Sequence, residues 1–281
     1  MSGLVHGSLF DNPREPEEIL AEAIEKHNPS HSFVGFSGGN DSLAVTHWMM
    51  SNVPGCVAFH ANTGIGIEAS RQFVRDTCKR ERWPLVEIKA KEDCGQNYDE
   101  IVLAHGFPGP AMHGRMYQRL KERCVEKLVR DHKKHRLDRI LIATGIYHEE
   151  SIIRMGYGDR VINRKGAQVW INPLYWWPKD RIRKYVDDAG IARNSVSQTL
   201  GYSGECLCGA FAHPGEKALV RIVEPETADR LEDLERRVRA AGHDWGWEDR
   251  GPNVRKPTRL DALDMPFCRG CNKTFFDEAA Q

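Results

Sequence analysis

Short apolar runs alternate along this chain with stretches of helical periodicity. The apolar runs predict strands over Phe33–Phe36, Cys56–His60, Leu85–Lys89, Ile140–Ala143 and Val169–Ile171. Between them, residues recur at helical spacing over Ser42–Met50, Ile67–Glu81, Met112–His132 and Lys179–Ala189, the last stopped by Gly190. A leading helix follows Pro13 and Pro16, with Ile19, Leu20, Ala23 and Ile24 on one face. Strands separated by helices imply βαβ crossovers and an α/β fold with a mostly parallel sheet flanked by helices. In such sheets, ligands bind beyond the carboxyl ends of the strands.

After Asn194 the texture changes. Gly, Ser and Cys cluster from Ser195 to Gly215, then a charged helix runs from Glu226 to Ala241 with Leu231, Leu234 and Val238 facing inward. The expected organisation is an α/β domain over residues 1–200 and a small Cys-rich module over 201–281.

Composition narrows the picture. The 281 residues carry 40 basic and 40 acidic side chains, so no global field draws the chain to a polyanion. A local patch exists: Arg115–Arg139 holds ten Lys or Arg against Glu122, Glu126, Asp131 and Asp138. No apolar stretch approaches the ~20 residues of a membrane span. Met1–Asn12 lacks a basic start followed by an apolar core. A cytoplasmic protein without membrane partners is expected. In a reducing compartment, closely spaced members of the eight cysteines read as metal ligands or redox centres rather than disulfides.

The most informative chemistry lies at Ser37-Gly38-Gly39-Asn40-Asp41-Ser42, between an apolar strand and a helical run. A strand that turns through glycines into a helix presents backbone N–H groups at a positive dipole end, which suits phosphate. No Lys follows the glycines, so this is not the Walker A loop. The wording Ser-Gly-Gly-x-Asp-Ser resembles the PP-loop of the ATP pyrophosphatases, and the chain is similar over about residues 30–210 to the phosphoadenosine phosphosulfate (PAPS) reductase-like branch. That resemblance implies an adenine nucleotide alpha hydrolase-like fold and binding of ATP or an adenylyl nucleotide at Ser37, Gly38, Gly39, Asn40, Asp41 and Ser42.

Other segments extend the resemblance. Asn62-Thr63-Gly64 stands where the family reads Asp-Thr-Gly and helps to frame the nucleotide site. Gly145, Glu150, Ser151 and Arg154 fall in a segment similar to the family's Thr-Gly-x-Arg-x-x-Glu-Ser-x-x-Arg, with Tyr147 replacing the first arginine. Arg154 is suited to grip phosphate oxygens in a planar fork, and Glu150 to hold Mg²⁺ or a lysine. Asn172-Pro173-Leu174 matches a further family segment that reads as structural. In relatives a cysteine near the position of Cys124 lies at the nucleotide end of the fold.

Cys206 and Cys208 form one close pair, Cys268 and Cys271 another. Two pairs can supply four thiolates to one centre, either zinc or an iron–sulfur cluster. In cluster-bearing relatives a pair also follows Asn-Pro-Leu, which favours a [4Fe–4S] cluster on Cys206, Cys208, Cys268 and Cys271, with zinc as the alternative and Cys124 as a reserve ligand or reactive thiol. The C-terminal Glu-Cys-Gly-x-His of the reductases is absent. The expected function is therefore ATP-dependent adenylylation of an acceptor with pyrophosphate release, coupled to iron–sulfur-dependent sulfur transfer. Asp41 would position Mg²⁺ and Arg154 would stabilise phosphate charge. Nucleic acid is a candidate acceptor, as in DNA phosphorothioation relatives, and a sulfur-donor protein a candidate partner. The rivals are reduction of adenylyl sulfate or PAPS, and a non-catalytic, zinc-stabilised nucleotide- or nucleic-acid-binding module.

Overall fold

The computed structural model describes residues 13–148 and 161–249. The expected α/β class is observed. The chain enters through α1 (Pro16–His27), with Pro16 at the first helical position and the Glu18 carboxylate accepting the Glu15 N–H. It then builds β1 (His31–Gly35), α2 (Asn40–Asn52), β2 (Val57–Asn62), α3 (Glu68–Arg80) and β3 (Leu85–Lys89). Two short helices, α4 (Ala90–Cys94) and α5 (Tyr98–His105), lead to α6 (His113–Tyr117) and α7 (Arg123–His132), joined by a π turn over Gln118–Glu122. After β4 (Ile140–Ala143) come β5 (Ile162–Lys165), β6 (Gln168–Ile171), α8 (Lys179–Asp188), α9 (Ser195–Leu200), α10 (Glu216–Val223) and α11 (Pro225–Ala240).

The six strands lie in the order β3-β2-β1-β4-β6-β5. All neighbours pair in parallel except β5 with β6. The first three strands progress to one side and β4 then returns to the other side of β1. The direction of winding thus reverses between β1 and β4, where an open α/β sheet leaves a crevice for ligands.

Strand side chains alternate between faces, and each face has its own core. Phe33, Phe59, Ile140 and Ile142 pack with Val102, Leu120, Leu128, Leu231 and Val238 from α5 to α7 and α11. Val34, Ala58, Leu141 and Ala143 pack on the opposite side with Ile19, Leu43, Met49 and Ile182 from α1, α2 and α8. Residues 201–249 therefore complete one covering layer of the sheet and share its core.

Two local expectations change, and one strand joins those expected. Ile24 is 44% exposed while Ile19, Leu20 and Ala23 are buried, because the contact stripe of α1 is narrower than its apolar face. The long helix over 112–132 is broken by the π turn, with Leu120 and Lys121 both buried there. Strand β5 has only Ile162 as an apolar residue, because it is an edge strand whose Asn163, Arg164 and Lys165 face solvent. Charged residues on such an edge discourage pairing with other chains.

Leu231 is fully buried between α11 and the sheet-side core. Leu231→Ala should cost about 2–5 kcal/mol in urea unfolding, with tryptophan fluorescence and far-UV circular dichroism still following one transition. Two separate transitions, only one of them shifted, would show that residues 201–249 unfold independently.

Candidate nucleotide and thiol site

The Ser37–Ser42 loop leaves the carboxyl end of β1 at the winding reversal. Gly38 has φ of +81°, a left-handed conformation that favours glycine, and Gly39 caps α2. A hydrogen-bond network closes the turn. Ser42 Oγ donates to Gly39 O at 2.8 Å and accepts the Ser37 N–H at 3.3 Å, with Ser37 Oγ 3.1 Å away. Asn194 Nδ2 donates to Gly38 O at 3.0 Å and contacts Ser70 Oγ at 3.1 Å, pinning the loop from behind. The first N–H groups of α2 thus sit at the positive end of a 13-residue helix. Asn40 Oδ1 is buried there without a partner among the described residues, an acceptor ready for a ligand's donor.

Gly145, after β4, presses on the same turn. A Cβ at this position would lie 2.6 Å from Asp41 O and 3.0 Å from Ser42 N. Any side chain would push the first turn of α2 out of place, so this glycine sets the width of the crevice. Glu150, Ser151 and Arg154, which the sequence places in the same segment, lie outside the described residues, as do Cys268 and Cys271.

Across β1, the end of β2 uses its polar atoms internally. Asn62 Nδ2 donates to Glu87 Oε1 at 2.7 Å, while its Oδ1 accepts the Gly64 N–H at 3.0 Å. Thr63 donates through its N–H and its hydroxyl to Glu205 Oε1, at 2.9 and 3.0 Å. Asn62, Thr63 and Gly64 therefore shape the wall of the site as a fastened turn.

Glu205 is the hub of a buried charge cluster. Its Oε2 lies 3.2 Å from Arg71 Nε and 3.5 Å from His60 Nε2. His60 Nδ1 reaches Phe36 O at 2.8 Å, one residue before the loop. Burial pushes the Glu205 carboxyl pKa up, but the His60 and Arg71 charges and the Thr63 N–H outweigh it and hold the group ionised. Burial pushes the His60 pKa down, but the Glu205 charge and the Phe36 carbonyl reverse that, and the net direction is up. The Glu205 carboxylate and the His60 ring thus favour each other's charged forms beneath the Ser37–Ser42 loop.

Glu205 leads directly into the Cys206-Leu207-Cys208-Gly209 segment, which is held rigidly. Tyr98 Oη donates to Cys208 O at 2.8 Å and Trp247 Nε1 to Leu207 O at 2.7 Å. The Cys206 thiol pKa falls well below the usual range, through a hydrogen bond with Cys208 and the nearby Lys121 and His113 charges. Lys121 and His113 are both buried. Two thiols brought together beside Lys121 and His113 form a donor pair suited to a soft metal or cluster. Among the described residues, no group of three or more His, Cys, Asp or Glu side chains is arranged to hold a metal.

Cys124 does not join that pair. It is fully buried, its Sγ donates to Leu120 O at 3.4 Å, and burial and the neighbouring Cys94 raise its thiol pKa. Those surroundings are those of an inert core thiol, because its thiolate is disfavoured. Cys56 and Cys78 are likewise buried, with pKa values pushed up to about 12.

His60, Arg71, Glu205, Lys121 and His113 escaped the sequence reading. The last two carried a signal. They lie on the stripe formed by Met116, Tyr117, Leu120, Cys124 and Val125, so helical spacing puts two titratable groups on an apolar face.

Residues 31–202 match the model of the phosphoadenosine phosphosulfate reductase domain. No curated protein matches the chain. Among solved structures, the chain is similar to a phosphoadenylyl-sulfate (PAPS) reductase from Candida auris, solved as a phosphate complex. The identity is 15% over 66% of this chain and 84% of that one, with a TM-score of 0.48. It is also similar to an NH3-dependent NAD synthetase from Campylobacter jejuni in complex with nitrate, at 14% identity over 82% of this chain and 97% of that one, with a TM-score of 0.42.

Two tests follow from the geometry. Gly145→Ala should keep the far-UV spectrum and weaken ATP binding roughly tenfold to a hundredfold, the affinity equivalent of about 1–3 kcal/mol of overpacking; unchanged affinity would remove Gly145 from the crevice. For His60, the folded pKa lies above its ordinary value of 6.5. Its contribution to stability is therefore complete below pH 6.5 and disappears as pH rises through the folded value. Urea midpoints should fall over that window in the wild type and be flat in His60→Gln; equal slopes would show that His60 carries no linked proton.

Proposed function

The chain belongs to the phosphoadenosine phosphosulfate reductase domain family, and on that premise we propose that it is an enzyme that activates an acceptor oxygen with ATP, releasing pyrophosphate. The observation that carries this reading is the Ser37–Ser42 turn. Its hydroxyl network and the α2 N-terminus form an anion cradle at the winding reversal, with no lysine to bind a γ-phosphate as a P-loop does. Backbone N–H groups there would hold the leaving pyrophosphate. Asp41, in the first turn of α2, would bind Mg²⁺, which would neutralise charge on the phosphates. Arg154, Glu150 and Ser151 complete the proposed nucleotide site by their place in the sequence.

The Cys206–Cys208 pair supports coupling to sulfur transfer, with adenine nucleotide as one partner and a sulfur-donor protein as another. A [4Fe–4S] cluster, or zinc, would take Cys206 and Cys208 with Cys268 and Cys271 and supply a soft, sulfur-rich centre. The protein's own part is to position it. Glu205 fastens the thiol segment to Thr63, and Lys121 and His113 balance thiolate charge.

One observation favours a second reading, reduction of adenylyl sulfate or PAPS. The Cys206 thiol is held toward its thiolate form, as a nucleophile attacking sulfate sulfur requires.

The two readings separate in one assay with α-labelled ATP, Mg²⁺ and candidate acceptors, including DNA and tRNA. AMP and pyrophosphate should form only when an acceptor is present, and Asp41→Ala combined with Ser42→Ala should abolish both. Sulfite released from adenylyl sulfate without ATP would reject adenylylation in favour of the reductase.

A further inference from the structure

The helical stretch α6–π turn–α7 has two faces of opposite character. Its buried side carries His113, Leu120, Lys121, Cys124 and Leu128, while Arg115, Arg119 and Arg123 lie on the exposed side at successive four-residue steps. None of these three arginines forms an ion pair among the described residues. The acids of the stretch are largely engaged elsewhere. Glu122 pairs with Lys165 of β5 at 2.5 Å, Asp131 pairs with Lys127 at 2.8 Å, and Asp138 accepts the Lys134 and His135 N–H groups. Glu126, three residues beyond Arg123, is the acid that shares the exposed side.

Like charges four residues apart on a helix each cost a few tenths of a kcal/mol. Two such steps in a row, with Glu126 as the acid on the same side, leave a repulsion that a line of external anions would relieve. The π turn over Gln118–Glu122 lies within the row, and Arg115, Arg119 and Arg123 are all exposed, before it, inside it and after it. Guanidinium groups also match phosphate oxygens as a two-pronged fork.

The direction of the row adds a second argument. The His132 ring packs 4.8 Å from Phe33 in β1, so the far end of α7 lies by the sheet interior. The near end lies by the thiol segment, because the His113 ring is 4.8 Å from Phe211, three residues beyond Cys208. A strand laid along Arg123, Arg119 and Arg115 is led toward the Cys206 end of the sheet.

We propose that Arg115, Arg119 and Arg123 form a docking row for the phosphate backbone of a nucleic acid. The inference deepens the proposed function by naming the acceptor class of the sulfur chemistry, and it rests on that reading for its purpose. Its test is a binding measurement that needs no turnover, so a failed acceptor assay and a failed docking row are distinguishable.

The test titrates the full chain against a fluorescein-labelled oligonucleotide, single-stranded and as a duplex, by anisotropy between about 50 and 200 mM salt. The comparison is with the triple variant Arg115→Gln, Arg119→Gln and Arg123→Gln, since glutamine keeps nearly the same helix propensity. Three lost phosphate contacts should lower the log–log salt slope by about 2–3 and weaken binding about a hundredfold at 0.1 M salt. Arg221→Gln with Arg236→Gln, which removes arginines already paired with acids, should change neither. Absence of oligonucleotide binding by the wild type, an unchanged slope in the triple variant, or retention on phosphatidylserine vesicles without oligonucleotide binding would each overturn the proposal.

Discussion

The buried carboxylate of Glu205 is the constraint on which the site depends. A charge taken out of water survives only if it is paired and hydrogen-bonded, and three residues meet that requirement at once. Thr63 supplies two donors from the end of β2, Arg71 a guanidinium from α3, and His60 an imidazole from within β2. Because Glu205 is covalently next to Cys206, the same contacts fix where the thiol pair stands relative to the sheet. His60 extends the link to Phe36, the residue before the nucleotide turn. Removing any one partner would leave the buried carboxylate less compensated, so the Asn62–Gly64 turn and the thiol segment are kept in fixed relation by electrostatics as much as by packing.

Packing reinforces that relation. Gly209 approaches Trp247 so closely that a Cβ would lie 2.8 Å from the indole, and Trp247 is fully buried in the core shared with β1, β2 and β4. The thiol segment is thus clamped between the sheet-side helices and the stretch after α11. Two carbonyls, of Leu207 and Cys208, are held by side-chain donors rather than by regular secondary structure, as the irregular backbone of a binding segment requires when it is buried.

Much of the fold was legible because it depends on local pattern. Three-to-five-residue apolar runs separated by amphipathic helices read as parallel strands with crossovers, and the Gly-Gly turn after the first strand read as an anion site. Strand β5 was hidden because Asn163, Arg164 and Lys165 look like a loop, and only pairing with β6 makes them a strand. The inward face of α11 was visible in Leu231, Leu234 and Val238, but the surface it covers was not, since periodicity gives a helix's buried side and not its partner. The charge cluster was least legible: Arg71, Glu205 and His60 look like surface residues until tertiary contacts bury them. Cys124 drew notice through its motif context, while its place on an apolar helix stripe buries it and disfavours its thiolate.

The central claim is that the Ser37–Ser42 turn seats the pyrophosphate portion of ATP. Displacement of labelled ATP from the full chain by inorganic pyrophosphate, in the presence of Mg²⁺, tests this directly. The account predicts complete, competitive displacement by pyrophosphate; failure of pyrophosphate to compete, with full displacement by adenylyl sulfate, would contradict it.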